Sequence, residues 1–408
     1  MERNTRLTLI GCIFAALAAG FVLGSVADEG TFGTSLQDAT TLVREYAGQP
    51  ADVDFTLFWN AWDALHERFV DSEKLNTQDL IYGAVAGMIQ AAGDQYTVFF
   101  EPVTNKKFRD EISGTFSGVG IEIGKRNDLL TVISPIKNTP AFRAGIRTGD
   151  IILAIDKKTT ADMTVEEAVT LIRGPRGSTV TLSIRRNGNS DTEIPIVREN
   201  IRIPAVEWSL LNADTAYLEL STFNQNVDGE FRKAAREIQK TSAKNIILDL
   251  RSNPGGLLDS SVYIAGWFLD PGSTVTIERF GDGSENVFRT TGEPELRDYN
   301  VIILTNGGSA SASEILAGAL HDVRSIRIVG EKTFGKGSVQ EVIEFPGGSA
   351  LKVTVARWLT PNGISISEKG IEPDVKVTLP EEAITSGAVE FGTPGKDPQL
   401  DKALELLR

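Results

Sequence analysis

The sequence predicts a layered α/β core of strand–helix units, with a β-rich module inserted ahead of it and a helical segment before both. Three observations carry this. Beyond residue 200, apolar strand-like runs alternate with amphipathic helical stretches, the pattern of an α/β core. Between 114 and 198 the period changes to short β-type runs, GVGIEIG, LLTVISPI, DIILAID and TVTLSIRR, separated by Gly, Pro and Asn turns. From 54 to 92, Phe55, Phe58, Trp59, Trp62 and Leu65, then Leu80, Ile81, Ala84, Val85 and Met88, recur at helical spacing, which predicts two core-facing helices.

A chain of 408 residues exceeds one ordinary domain and suggests roughly two to three. The net charge of −14 argues against nucleic acid or an anionic membrane surface as a partner. One cysteine, Cys12, excludes an intrachain disulfide and a cysteine-rich zinc site, and two histidines, His66 and His321, leave little for a histidine metal centre. No metal or cofactor is expected.

Taken in order, the first element is an address. Arg3 and Arg6 precede an uncharged apolar run from 7 to 27, the pattern of export. Its 21 residues are long enough for a single-pass anchor with the basic end cytoplasmic, while Ser25-Val26-Ala27 suits a cleaved signal. Both outcomes place the rest of the chain outside the cytoplasm. Leu9-Ile10-Gly11-Cys12 imitates a lipoprotein box, but most of the apolar run follows the cysteine. Residues 28 to 53 read as a polar linker and 54 to 113 as the helical region. In the β-rich module one helix runs from Thr164 to Ile172, opened by a Thr164/Glu167 capping box and stopped by Gly174-Pro175. The core then offers strands at 216 to 220, 245 to 250 and 301 to 305, with helices near 229 to 240 and 312 to 323.

Three segments in that core suit chemistry. NGGSASASEIL, residues 306 to 316, puts a serine-dense turn between an apolar strand and a helix, where helix N-terminal amides can stabilise an oxyanion beside Ser311. Ser311 to Glu314 is also a plain capping-box pattern. A base is then required. His321 lies ten residues further along the helix, roughly 15 Å of rise, which is too far. Lysine is the remaining choice: GEKTFGKGSVQEVIEF, residues 330 to 345, offers Lys332 and Lys336, and a strand there would turn Lys336, Ser338 and Gln340 the same way. A catalytic lysine must be desolvated to lose its proton near neutral pH. The same glycines imitate a phosphate loop, but Gly337 stands where that motif needs Ser or Thr. The third segment, LDLRSNPGGLLDSSV at 248 to 262, runs a strand into a Pro-Gly-Gly turn able to aim amides at an anion.

Together these segments resemble the carboxyl-terminal processing peptidases, or tail-specific proteases. The resemblance runs from about residue 54 to 408 and includes GDQYTVFF (93 to 100), GVGIEI, AGIRTGDIILAID, the three segments above and ALKVTVARWLTPNGISISEKGIEPDV. It implies Ser311 as nucleophile, Lys336 as general base and Gln340 as its partner, with the amides of Ala312 and of Gly255 or Gly256 as oxyanion hole. It makes 114 to 198 a PDZ-like domain, 199 to 378 a serine protease core and 379 to 408 a C-terminal segment. Gly118, Val119, Gly120 and Ile121 match the carboxylate-capturing loop of such a domain, with Ala168, Val169 and Ile172 as groove candidates and Arg173 at the end of the groove helix. The implied partners are polypeptides with apolar C-terminal tails. The competing class is a non-catalytic peptide-binding scaffold, against which the intact Ser311, Lys336 and Gln340 weigh. Residues 54 to 92 are the candidate contact with a second copy of the chain.

Overall fold

The computed structural model describes residues 54–408 except 127–128, 137, 187–189, 203, 368, 381 and 384–387; the apolar run at 7 to 27 and the linker after it lie outside the described residues. The chain divides into two units, 1–77 and 78–408. In the first, α1 (Thr56–Arg68) carries a ladder of rings in which Trp62 stacks on His66 at 4.8 Å. The second opens on α2 (Thr77–Gln90). Neither helix contains a buried residue: of the stripe, Phe58, Trp62, Leu65, Leu80 and Val85 are half-buried, and Phe55, Trp59, Ile81, Ala84 and Met88 are exposed. The expectation that this stripe is core is therefore corrected. Helical spacing specifies an apolar face but not what covers it.

Next come β1 (Val98–Phe100) and α3 (Pro102–Ser113). The chain enters the inserted module on β2 (Thr115–Gly118) and leaves it on β9 (Glu199–Arg202); the two pair antiparallel as a separate ribbon. Inside lie β3 (Ile121–Arg126), β4 (Leu129–Pro135), α4 (Pro140–Arg143), β5 (Ile151–Ile155), β6 (Lys158–Thr159), α5 (Val165–Ile172), β7 (Thr179–Arg185) and β8 (Thr192–Val197). Their sheet runs β3-β4-β5-β7-β8 over a core of Val119, Leu130, Ile152, Leu182 and Ile196. α5 starts on the capping box that the sequence predicts: Thr164 N–H donates to Glu167 Oε2 at 2.8 Å and Glu167 N–H returns to Thr164 Oγ1 at 3.1 Å.

The core follows with β10 (Val206–Leu210), β11 (Thr215–Leu220), α6 (Val227–Ile238), β12 (Asn245–Asp249), α7 (Leu258–Ala265), β13 (Thr274–Phe280), β14 (Glu285–Arg289), β15 (Asn300–Thr305), α8 (Ala312–Arg324), β16 (Arg327–Gly330), β17 (Ser338–Glu344), β18 (Ala350–Leu359), β19 (Val375–Lys376) and α9 (Pro398–Leu406). The main sheet is ordered β10-β11-β12-β15-β16-β19, parallel throughout except for β10. Alternate residues face opposite sides. Leu218, Leu248 and Ile303 share a cluster with Phe231 of α6, Ile264 of α7 and Leu316 of α8, whereas Tyr217, Ile247 and Ile302 pack with Leu400 and Ala403 of α9. Covering both faces is what lets β12 be buried at every position. A second, antiparallel sheet joins β1, β18, β13 and β14, with β17 on β18. Among the described residues no helix is long and apolar enough to cross a membrane.

Candidate active site

Three motifs far apart in sequence meet because their strands are neighbours. β12, β15 and β16 are adjacent and parallel, so the turns leaving their C-terminal ends, 250–256, 306–311 and 331–337, emerge together. That edge is where open α/β sheets place ligands.

The serine-dense turn sorts itself by hydrogen bonding. Ser309 Oγ donates to Leu250 O at 2.8 Å, and Ser313 Oγ to Asn253 O at 2.9 Å. Both hydroxyls thus pin the serine-dense turn to the Pro-Gly-Gly turn. Asn306 Oδ1 adds a third tie by accepting Ser252 N–H at 2.7 Å. Ser311 lies between them with φ 56° and ψ −116°, a left-handed conformation that costs a non-glycine residue on the order of 1–3 kcal/mol. A sharp strand-to-helix turn of this kind holds a serine proud of the sheet edge. Directly after it, Ala312 opens α8, so its amide has no intrahelical partner.

Gly255 presses against this point. With φ 93°, a Cβ on Gly255 would come within 2.8 Å of Ser311 Cβ and 2.9 Å of Ala312 N, so no other residue fits. Its amide, however, already donates to Asn253 Oδ1 at 2.9 Å. Gly256 instead lies against the Phe223 backbone and is exposed.

Glu314 joins the serine to the lysine. Fully buried, its Oε2 accepts the amides of Ser311 and Lys336, both at 2.9 Å, while Oε1 accepts Thr333 Oγ1 at 2.6 Å and Gly335 N–H at 2.7 Å. One carboxylate oxygen on both amides fixes the two backbones within a few ångströms of each other. Burial raises the Glu314 pKa, opposed by these four donors. Sequence spacing shows Glu314 only as a helix cap; the signal pointing further is a lone carboxylate between the apolar and small residues of SASASEILAGAL. Glu314→Ala is expected to lower kcat for a peptide by on the order of 100-fold with KM little changed, because positioning is lost while binding remains. Steady-state kinetics on the folded variant check this, and a variant with unchanged kcat would contradict it.

Lys336 precedes β17, and its amine lies 5.5 Å from the centroid of the Tyr96 ring. Burial lowers its pKa, the Lys352 charge lowers it further, and Glu314 opposes both. Ser338 and Gln340 do share a side, since Gln340 Nε2 donates to Ser338 Oγ at 2.6 Å. A bulge separates Val339 from Gln340 in the pairing with β18, and Gln340 also approaches Thr354 Oγ1 at 3.5 Å. The Nε2 group of Gln340 is thus engaged with Ser338 and Thr354, which leaves the expectation that Gln340 orients the lysine amine to its oxygen.

His321 lies in the last turn of the same helix, with Nδ1 3.4 Å from Asp322 and Nε2 3.2 Å from Asp374. Among the described residues no group of three or more His, Cys, Asp or Glu is arranged to hold a metal.

A second candidate site lies in the inserted module, where a groove of about 70 Å³ runs between β3 and α5. Gly118, Val119, Gly120 and Ile121 form one wall, with Val169 and Ile172 opposite. Gly120 is required by contact as well as by φ 77°, since a Cβ would fall 2.4 Å from Thr139 Cβ. Ala168 does not line the groove and is fully buried in the module core. Arg173 closes one end, its guanidinium 4.5 Å above the Phe116 ring.

Fold and site geometry define a peptidase-type α/β core carrying a peptide-binding module, and comparison with known proteins agrees. Residues 214–377 match the profile of peptidase family S41, and 131–186 that of the PDZ domain. The carboxy-terminal processing protease CtpA of Bacillus subtilis is 33% identical over 94% of this chain and 79% of its own. A probable CtpA-like serine protease of Staphylococcus epidermidis is 38% identical over 76% of this chain and 63% of its own. The solved photosystem II D1 C-terminal processing protease superposes with a TM-score of 0.50 at 28% identity, over 84% of this chain and 98% of that one. The chain belongs to peptidase family S41 and is a serine-type C-terminal processing peptidase acting on polypeptides.

Proposed function

We propose that the chain is an extracytoplasmic endopeptidase that cleaves polypeptides through an acyl-enzyme, with Ser311 as nucleophile and Lys336 as general base, and selects them by apolar C-terminal tails docked in the PDZ groove. The carrying observation is the shared Glu314 oxygen, which accepts the backbone amides of both the strained Ser311 and of Lys336, whose amine is desolvated. In the first step the neutral Lys336 amine takes the Ser311 hydroxyl proton as Oγ attacks the scissile carbonyl carbon. The oxyanion forms beside the Ala312 amide. The Gly255 amide being committed to Asn253, Gly256 is assigned as second donor. The Lys336 ammonium then protonates the departing amine, and the regenerated amine activates the water that hydrolyses the ester. Gln340 holds the Ser338 side of the lysine loop. The basic start and apolar run at 7 to 27 support export, either as an anchor or as a cleaved signal.

The groove walls are apolar, with a glycine-rich loop at one end suited to a terminal carboxylate. Because the module joins the core through the β2–β9 ribbon, docking a tail can shift it relative to Ser311, provided the tail binds the open position more tightly. Replacing residues 115–202 by a short linker tests this. Short tail-less peptides are expected to be cleaved at least as fast as by the intact chain, while the preference for apolar-tailed over charged-tailed proteins disappears. Failure of both substrate classes in a folded deletion variant would overturn the gating role.

A further inference from the structure

The GDQYTVFF segment belongs to the lysine's surroundings although it comes more than two hundred residues earlier. β1 pairs with β18 in the register Val98 to Lys352, and β17 pairs with the other edge of β18 in the register Val342 to Lys352 and Gln340 to Thr354. Lys352 and Thr354, two residues apart on one strand, share a face of the sheet, and Gln340 reaches Thr354 on that face. Asp94 and Tyr96 arrive there from the turn before β1: Thr97 Oγ1 donates to Asp94 Oδ2 at 2.6 Å and accepts Thr354 N–H at 3.0 Å, and the Tyr96 ring lies under the Lys336 amine. Two lysines therefore share one small, partly buried patch. The groups facing them are Glu314 from α8, Asp94 and Tyr96 from the turn before β1, and the rings of Phe100 in β1 and Phe108 in α3.

We propose that Lys352 is a fixed second cation that keeps the Lys336 amine neutral at the pH of catalysis, with Asp94 and the two phenylalanine rings holding the charge on Lys352. This rests on the assignment of Lys336 as general base. The asymmetry between the lysines is structural. Lys352 lies over two aromatic faces, 5.3 Å from the Phe100 centroid and 5.9 Å from that of Phe108, and has Asp94 beside it. Asp94 is ionised at neutral pH: burial opposes its charge, but hydrogen bonds from Thr354, Thr97 and the Tyr96 and Thr97 amides hold its pKa below the ordinary value. The anion acting on Lys336, Glu314, has both oxygens occupied by four donors. Hence the first proton leaves Lys336, and the neighbouring positive charge assists its loss. Burial lowers the pKa of both lysines, and only Lys352 has a counter-ion that opposes this without also serving the catalytic turn.

The test is the pH dependence of kcat/KM for a tail-less peptide, measured on the soluble chain and on its Lys352→Met, Lys352→Arg and Lys336→Ala variants, with melting temperatures confirming the fold. Methionine keeps the stem over Phe100 and Phe108 but removes the charge; arginine keeps the charge and cannot lose it. Removing the cation raises the Lys336 pKa, so the acid limb of Lys352→Met moves to higher pH. The expected loss is about fivefold or more at a pH on the wild-type limb, with the curves converging at alkaline pH. Lys352→Arg is expected to retain the wild-type limb. An unmoved limb in Lys352→Met, or a loss equal at every pH, would overturn the proposal while leaving Lys336 as base. Activity surviving in Lys336→Ala would instead remove the assignment on which it rests.

Discussion

Ser311→Ala and Lys336→Ala are each expected to lower peptide-bond cleavage by on the order of 1,000-fold or more, with the fold unchanged. The effect is large because, in the proposed mechanism, the two residues act in one proton transfer. For the same reason the double variant should be little worse than either single one, since removing half of such a unit removes nearly all of its contribution. Ser311 loses only a hydroxyl, and Ser309 and Ser313, whose hydroxyls hold the turn, remain in place. The Lys336 amide still reaches Glu314 after truncation of the side chain. Additive losses, or substantial turnover by Lys336→Ala, would contradict a shared Ser–Lys step. His321→Ala should retain activity, because the imidazole is engaged with Asp322 and Asp374 at the opposite end of α8.

The second large effect is expected in stability. Arg251 follows β12 at the start of the Pro-Gly-Gly turn, with its side chain 3% exposed. It donates to Asp249, to Asp397 at 2.8 and 2.9 Å and to Gln399 at 3.0 Å, and stacks 4.4 Å over the Phe391 ring. Burial opposes the Arg251 charge, but Asp249 and then Asp397 hold its pKa above the ordinary arginine value. Asp397 also caps α9 through Leu400 N–H, so one carboxylate fastens the C-terminal segment to the base of the catalytic turn. Asp397→Ala leaves Arg251 paired with Asp249 but removes two charge-assisted hydrogen bonds to the buried guanidinium and the α9 cap, and is expected to cost about 2–4 kcal/mol of unfolding free energy. Urea denaturation of the soluble chain measures it. A midpoint unchanged from wild type would show that the C-terminal segment does not secure the core.

Much of this architecture was legible in the sequence because it rests on local signals. Strands and helices from 215 to 330 follow apolar periodicity closely, and the Thr164/Glu167 cap sets the start of α5. Ser311 and Lys336 could be singled out from turn chemistry and from the distance of His321. What escaped is long-range pairing. β1 joining β18 depends on a partner about 250 residues away, which no local window specifies, whereas the hairpin of β13 and β14 is local and was passed over in the sequence. Glu314 likewise satisfies the cap pattern, and its further bonds to Thr333, Gly335 and Lys336 arise only when β15 and β16 lie side by side. Ala168 was placed in the groove by its position on α5, yet periodicity alone does not separate the groove-facing side from the side buried in the module core. The apolar stripe of α1 and α2 fails in the opposite sense, being patterned for burial and found half-buried to exposed.

In the proposed mechanism, cleavage proceeds through an ester on Ser311 whose formation needs Lys336. The most direct measurement is rapid acid quench of the soluble chain during turnover of a good peptide substrate, followed by proteolysis and mass spectrometry of the segment spanning residues 306 to 324. The account predicts an acyl adduct on Ser311 in the wild-type chain, with the mass of the N-terminal product fragment less one water relative to the free acid, and no adduct in Lys336→Ala. Turnover in the wild-type chain with the adduct on another residue, or accumulation of the Ser311 ester in Lys336→Ala at the wild-type rate, would contradict it.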